Sequence, residues 1–250
     1  MSAVDLVRDL EPLLMAAVRV TVFLVMAPPF SHRGIPAAVK AMLGVGLALA
    51  LAPTLGTPST STAGFLVGLV GEAVVGAGLA LIVMILFAAV PSAGRLIDVF
   101  GGFELAAAYD PLLMTQSGPF SQLYTMMATV LLFVTGGYQL VIAGLARSFA
   151  ALPLGSGLDV ALVAGGATTA LTQMFLAALQ VAGPLVAVLF LADIGLGLLT
   201  RVAPALNAFS LGFPMKVLIT LTLGGVAVVG LPTLVAWLVE RSMDLLGTVR

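Results

Sequence analysis

Apolar residues dominate six stretches of this chain, and residues typical of turns separate them. The stretches are roughly Leu13–Met26, Ala37–Ala52, Phe65–Val90, Gln122–Leu145, Thr169–Leu191 and Phe213–Val239. A helix that crosses a bilayer needs about 20 apolar residues, so the last four stretches are long enough and the first two are short. The segments between them carry proline, glycine and serine, which favour turns. The pattern predicts an all-α, membrane-associated protein with about six long, partly broken hydrophobic helices, in one domain over residues 1–250.

Composition leads to the same class of protein. Hydrophobic residues make up 61% of the 250 residues and charged residues only 8%, whereas a typical soluble domain is about 25% charged. A soluble fold of this length could not bury so much apolar surface. The net charge of -1 gives no indication of a nucleic-acid partner. The chain has no cysteine, which excludes disulfides and thiolate metal sites.

Charged residues interrupt the apolar segment Val181–Lys216. Asp193 and Arg201 lie inside it, Pro204 follows, and Lys216 closes it. A charge at membrane depth is costly, so such side chains normally face protein or water rather than lipid. Asp193 and Arg201 would be about 12 Å apart along an unbroken helix and could not pair with each other there. We therefore expect the segment to pack against partners rather than to act as a simple anchor.

Glu72 lies in a glycine-rich part of the third stretch. The neighbouring glycines are Gly68, Gly71, Gly76 and Gly78. Small residues allow helices to approach closely. Two interpretations are open: ordinary packing within one chain, or a subunit of a dense helical assembly in which Glu72 is buried against a partner group.

The connection Gly101–Phe120 is much longer than a usual link between helices. It is also nearly uncharged, although a loop in water would be polar. One interpretation is an interfacial or re-entrant helix that packs on the bundle. The other is a hydrophobic plug that closes a pore by excluding water. The candidate plug residues are Phe103, Tyr109, Asp110, Pro111, Met114 and Phe120.

Enzymatic chemistry has little support in the sequence. Tyr109-Asp110, Asp193 and Pro204-Ala205-Leu206 are similar to motifs of intramembrane aspartyl proteases, but the glycines Gly195 and Gly197 follow Asp193 instead of preceding it. A single histidine cannot supply a His-x-x-x-His metal pair. No phosphate-binding loop of the Gly-x-x-x-x-Gly-Lys type is present. We therefore predict no catalytic residue, no metal site and no cofactor.

A secondary transporter is a further alternative, because transporters also use broken helices and charges near the membrane midplane. Such proteins usually contain two repeated halves, and the halves of this chain do not resemble each other. With six spans, four basic residues would lie on one side and five on the other, so the positive-inside rule leaves the topology open.

The order of motifs along the chain resembles the FliR family, whose counterpart in virulence secretion is called SctT. The most specific block is Asp193-x-Gly195-Leu196-Gly197-Leu198-Leu199-x-Arg201-x-Ala203-Pro204 followed by Phe209-x-x-Gly212-Phe213-Pro214-x-Lys216. Earlier matching residues are Arg19, Pro29-Phe30, Ile35-Pro36, Lys40, Ala93-Gly94-x-x-Ile97-Asp98, Gly102-Phe103, Asp110-Pro111, Gly136-Gly137, Ser148-Phe149 and Leu152-Pro153-Leu154-Gly155. Two positions depart from the family pattern: Ala205 stands where glutamine is expected, and Tyr138 where histidine often follows glycine.

This resemblance implies a non-enzymatic subunit of the type III protein export gate in the bacterial inner membrane, at the flagellar basal body or in a virulence machine. It implies assembly with FliP and FliQ homologues, a FlhB homologue as a further partner, and passage of unfolded substrates. It also implies a FliP-like first part, FliQ-like last helices and a plug formed by the central loop. The expected buried polar contacts of the assembly are Glu72, Asp193, Arg201 and Lys216.

Overall fold

The computed structural model describes residues 3–32, 34–56, 61–104, 118–157, 160–203 and 208–248. Across these residues it contains nine α-helices, one short 3-10 helix at Ala52–Thr54 and no β-strand, which confirms the all-α prediction. The helices are α1 Ala3–Met26, α2 Ala37–Leu51, α3 Thr62–Phe87, α4 Ala89–Gly101, α5 Pro119–Val134, α6 Gly137–Ala151, α7 Val160–Val202, α8 Ala208–Val229 and α9 Leu231–Thr248.

Glycine and proline set several of the helix ends. Pro36 precedes α2 in an extended conformation. Because proline has no backbone N–H, it is tolerated at the start of a helix but not in its interior. Gly102 ends α4 with φ 84°, and its N–H donates to the carbonyls of Asp98 and Val99. Gly136, with φ 72°, separates α5 from α6. Both glycines adopt the left-handed conformation that is costly for other residues.

The chain divides into two compact units. The first contains Met1–Phe87, Leu132–Thr172 and Trp237–Arg250. In it α1 packs against both α2 and α3, and the buried side chains of α1 include Met15, Val20, Phe23 and Leu24.

The second unit contains Ala88–Leu131 and Gln173–Ala236. In it α4 packs against α8 and also against the start of α5. A Cβ atom at Gly94 would lie 2.5 Å from Cα of Ser121, so the two backbones approach more closely than any other residue would allow. The prediction of one domain over residues 1–250 stays a prediction.

Three helical segments in the described part of the chain are long and apolar enough to cross a membrane: Ala63–Gly101, Val160–Val202 and Gly212–Val229. A fourth would be added if the bent pair Pro119–Val134 and Gly137–Ala151 forms one span.

The six apolar stretches all lie on helices, but their limits differ from those predicted. The stretch Gln122–Leu145 is divided between α5 and α6, because Gly136 breaks the helix. The stretch Phe213–Val239 is divided between α8 and α9 at Gly230. Thr169–Leu191 is the middle of the much longer α7. Hydrophobicity alone does not show these breaks, since the residues on both sides of them are apolar.

Candidate functional site

Arg19 and Glu72 form a buried ion pair in the first unit. Arg19 lies on α1 and Glu72 on α3, and the distance from Nε to Oε2 is 2.5 Å. The side chains are 0% and 2% exposed. Glu72 is thus buried within this chain, where its partner lies 53 positions earlier. Its predicted role as a polar contact of the assembly stays a prediction.

The same two side chains also hold the segment after α6. Nη1 of Arg19 donates to the carbonyl of Leu152 at 2.9 Å, and the N–H of Gly155 donates to Oε1 of Glu72 at 2.9 Å. The guanidinium lies 4.3 Å from the ring centroid of Phe149, a distance suited to a cation–π contact. Nε and Nη1 of Arg19 have hydrogen-bond partners, whereas Nη2 is buried without one among the described residues. The arrangement therefore ties α1, α3 and the end of α6 together.

Asp193 and Lys216 form an ion pair between α7 and α8 in the second unit. Nζ of Lys216 lies 2.5 Å from Oδ1 of Asp193. Asp193 is 43% exposed and Lys216 is 19% exposed in the isolated chain. Asp193 thus pairs with the next helix and not with Arg201. The proposed burial of Asp193 and Lys216 by a neighbouring subunit stays a prediction.

Arg201 lies in the last turn of α7 and is exposed. A cation is favourable at that end of a helix because it faces the negative end of the helix dipole. Its predicted role in assembly depends on a neighbouring subunit and stays a prediction.

The predicted plug lies mostly outside the described residues. Tyr109, Asp110, Pro111 and Met114 all belong to the range 105–117. Phe103 and Phe120 are described, and their ring centroids are 5.5 Å apart with the planes tilted by 58°. The two ends of the predicted plug therefore lie side by side.

Asp98 is a buried residue that the sequence analysis did not include among its candidate site residues. It lies on α4 and is 0% exposed. Its Oδ1 accepts the N–H of Phe120 at 2.9 Å and its Oδ2 accepts the N–H of Ser121 at 2.9 Å. The sequence feature that could have indicated a buried role for Asp98 is the presence of a carboxylate inside an apolar segment. The partners are backbone groups, which leave no mark in the sequence.

The faces of α7 and α8 expose many large apolar side chains. Examples are Phe175, Leu176, Phe190 and Leu191 on α7, and Leu221 on α8. Surface of this kind is suited to contact with lipid or with other apolar helices.

Among the described residues, no group of three or more histidine, cysteine or carboxylate residues could hold a metal ion. The polar clusters that are present consist of ion pairs and backbone hydrogen bonds.

Comparison with known proteins gives consistent similarities. The family model described as "Bacterial export proteins, family 1" matches residues 10–242. The flagellar biosynthetic protein FliR of Pectobacterium carotovorum subsp. carotovorum is 31% identical over 252 residues, covering 98% of this chain and 95% of the relative. The FliR protein of Bacillus subtilis is 31% identical over 222 residues, covering 85% and 84%. The Yop proteins translocation protein T of Yersinia pestis is 30% identical over 147 residues, covering 58% and 56%.

Proposed function

The chain belongs to bacterial export proteins, family 1, the family of the FliR proteins, and we propose that it is a non-enzymatic subunit of a type III protein export gate in the bacterial inner membrane. The observation that carries this proposal is the family match over residues 10–242. The apolar helices and the buried ion pair of Arg19 and Glu72 support a role as a structural component.

The proposed partners are homologues of FliP, FliQ and FlhB, and the proposed cargo is unfolded export substrate. The exposed apolar faces of α7 and α8 support a helical assembly, and so does the exposed cation of Arg201 beside them. In this proposal the first part of the chain is FliP-like and the last helices are FliQ-like.

We propose that the chain works in the flagellar basal body, with a virulence secretion machine as the alternative. Similarity to a FliR protein covers 98% of this chain, whereas similarity to the Yop translocation protein T covers 58%. A T-subunit of virulence secretion is the second candidate, because that partial similarity is also clear.

We also propose that the Gly101–Phe120 segment closes the pore until a substrate arrives. Its residues are too apolar for a loop in water, and Phe103 and Phe120 bring its ends together. A seal that must move is best held by many weak apolar contacts, each of which contributes little. Met114 suits such a seal because its side chain is flexible.

The experiment replaces Met114 and Phe120 by glycine in cells that express the complete gate. The complex should assemble at a normal yield, while entry of a small membrane-impermeant solute should rise, since the side chains that exclude water are gone. Met42→Gly is the control, because Met42 is 73% exposed on α2 and lies outside the segment. A double variant that assembles fully and stays as tight as wild type would show that the segment only packs.

A further inference from the structure

The last turns of α6 and α9 form a cavity in the first compact unit. Its volume is about 500 Å³, and the residues that line it all belong to that unit. The lining includes Arg147, Ala150, Ala151, Arg241, Asp244 and Gly247. The alanines and the glycine leave the space open because their side chains are small. The two arginines and the aspartate give the cavity two positive charges and one negative charge.

Helices α6 and α9 pack closely on the way to this cavity. A Cβ atom at Gly137 would lie 2.9 Å from Cγ2 of Val239. Further along both helices, a Cβ atom at Gly144 would lie 3.2 Å from Cα of Met243. The contacts advance along both helices together, so the two helices run in the same general direction. The backbone that carries the two arginines is therefore held in place without any ligand.

The cavity lies where both helices change from uncharged to charged residues. Residues 231–239 of α9 carry no charge, and Arg241 lies just beyond them. Residues 140–145 of α6 carry no charge either, and Arg147 follows. Trp237 precedes Arg241 by one turn and is 41% exposed. Tryptophan is enriched at the membrane–water interface, and arginine near the end of an apolar helix reaches towards it, so this level is that of the lipid headgroups.

The chemistry of the cavity suits a phosphate group. A guanidinium can donate two parallel hydrogen bonds to a phosphate, and two guanidiniums line the same space. Nη1 of Arg241 also lies 3.8 Å from Oδ2 of Asp244, in a pair whose side chains are 36% and 59% exposed. Such a pair is weak. Because the carbonyls at the C-terminal end of a helix disfavour an anion, a phosphate here would depend on both arginines.

We propose that this cavity binds the headgroup phosphate of an anionic phospholipid, with Arg147 and Arg241 as the donors. An anionic lipid fits better than a zwitterionic one, because the ammonium of choline or ethanolamine would add a third cation. Basic pockets between helices at headgroup level bind such lipids in other membrane proteins. The inference requires the chain to lie in a membrane, but it does not depend on what the assembly transports.

The test uses the complete complex, purified in mild detergent, depleted of lipid and titrated with phosphatidylglycerol. Native mass spectrometry counts the lipid molecules bound to each complex. Arg147→Gln and Arg241→Gln should each raise about tenfold the lipid concentration that fills one site per copy of this chain, because each removes charged hydrogen bonds to the phosphate. Asp244→Asn should lower that concentration, because it removes the negative charge beside the phosphate.

Arg95→Gln is the matched control. It removes the same charge from an arginine on α4 that is 69% exposed and lies in the second unit. Lipid binding should not change for this variant. Two other ligands test the chemistry: phosphatidylcholine should bind more weakly than phosphatidylglycerol, and inorganic phosphate should compete only at a much higher concentration, because it has no acyl chains to bury.

Several results would overturn the proposal. Wild-type lipid binding by both arginine variants, or an equal loss in Arg95→Gln, would show that the cavity is not the site. Tight binding of inorganic phosphate would show a site for a free anion. Loss of a partner subunit with unchanged lipid would show that the arginines contact an acidic segment of that subunit. If the arginine variants cannot be purified, Asp244→Asn decides alone, and unchanged or weaker lipid binding refutes the proposal.

Discussion

Arg19 shows how a chain with few charges keeps one of them in an apolar environment. Its guanidinium reaches a carboxylate, a backbone carbonyl and an aromatic ring at the same time. A planar group with five donors is suited to this, whereas an ammonium offers a single point of charge. The cost of burying the charge is offset only while these partners are in place.

We therefore predict that Arg19→Ala destabilises the protein by about 3–5 kcal/mol, because it leaves the carboxylate of Glu72 buried without its counter-ion. The measurement is the melting temperature of the purified complex. The double variant Arg19→Met/Glu72→Leu should recover part of the loss, since no charge is then left unpaired. Arg95→Ala is the control: its pair with Glu104 is exposed and contributes at most about 1 kcal/mol. Equal losses in Arg19→Ala and Arg95→Ala would contradict the structural importance of the buried pair.

Arg201 is predicted to act between subunits and not within the chain. Arg201→Ala should lower the yield of assembled complex on a native gel, since it leaves a partner group unpaired. Arg201→Lys should keep part of the yield because the charge remains while the planar donors are lost. Normal assembly of the alanine variant would remove Arg201 from the interface.

Single residues also show the limit of sequence analysis. The charge of Glu72 within an apolar stretch predicted a buried contact, but nothing near it in the sequence indicates Arg19, 53 positions away. Asp193 and Arg201 lie on the same helix, α7, but Lys216 as the partner of Asp193 depends on how α8 returns along α7. Pairings of this kind are set by the packing of helices.

At the scale of helices, glycine determines how closely α1 and α3 approach. A Cβ atom at Gly76 would lie 2.5 Å from the carbonyl oxygen of Arg19. The contact brings the two backbones together beside the ion pair of Arg19 with Glu72. Gly71, on the same helix, has no atom within 4 Å of such a Cβ.

These two glycines give a matched pair of substitutions. Gly76→Ala should lower stability by about 1–3 kcal/mol, because the added methyl group forces the helices apart. Gly71→Ala should change stability by no more than about 1 kcal/mol, the usual difference in helix propensity. Protease resistance of the complex during heating measures both. Similar behaviour of the two variants would contradict the close approach of α1 and α3.

The sequence predicts most helices well because long apolar runs can only be helical at membrane depth. It predicts their ends less well. The division of Gln122–Leu145 depends on the left-handed conformation of Gly136, and glycines are also common within helices that stay unbroken, such as Gly165 and Gly166 in α7. A glycine therefore permits a break without requiring one.

At the scale of the whole molecule, the isolated chain leaves much apolar surface without a protein partner. Large side chains are exposed along α7 and α8, and the charges of Asp193 and Lys216 lie among them. Lipid can cover the apolar side chains, but charged groups there favour contact with protein or water. The proposed assembly into a multi-subunit complex accounts for both features together.

The central claim is that the chain functions as one subunit of a hetero-oligomeric export gate. The most direct measurement is purification in mild detergent through a tag on this chain, with and without its FliP and FliQ homologues, followed by mass determination. The claim predicts a complex of defined mass that contains both homologues, and a chain that is aggregated or protease-sensitive when it is expressed alone. A monodisperse, protease-resistant monomer that binds neither homologue would contradict it and would favour a transporter.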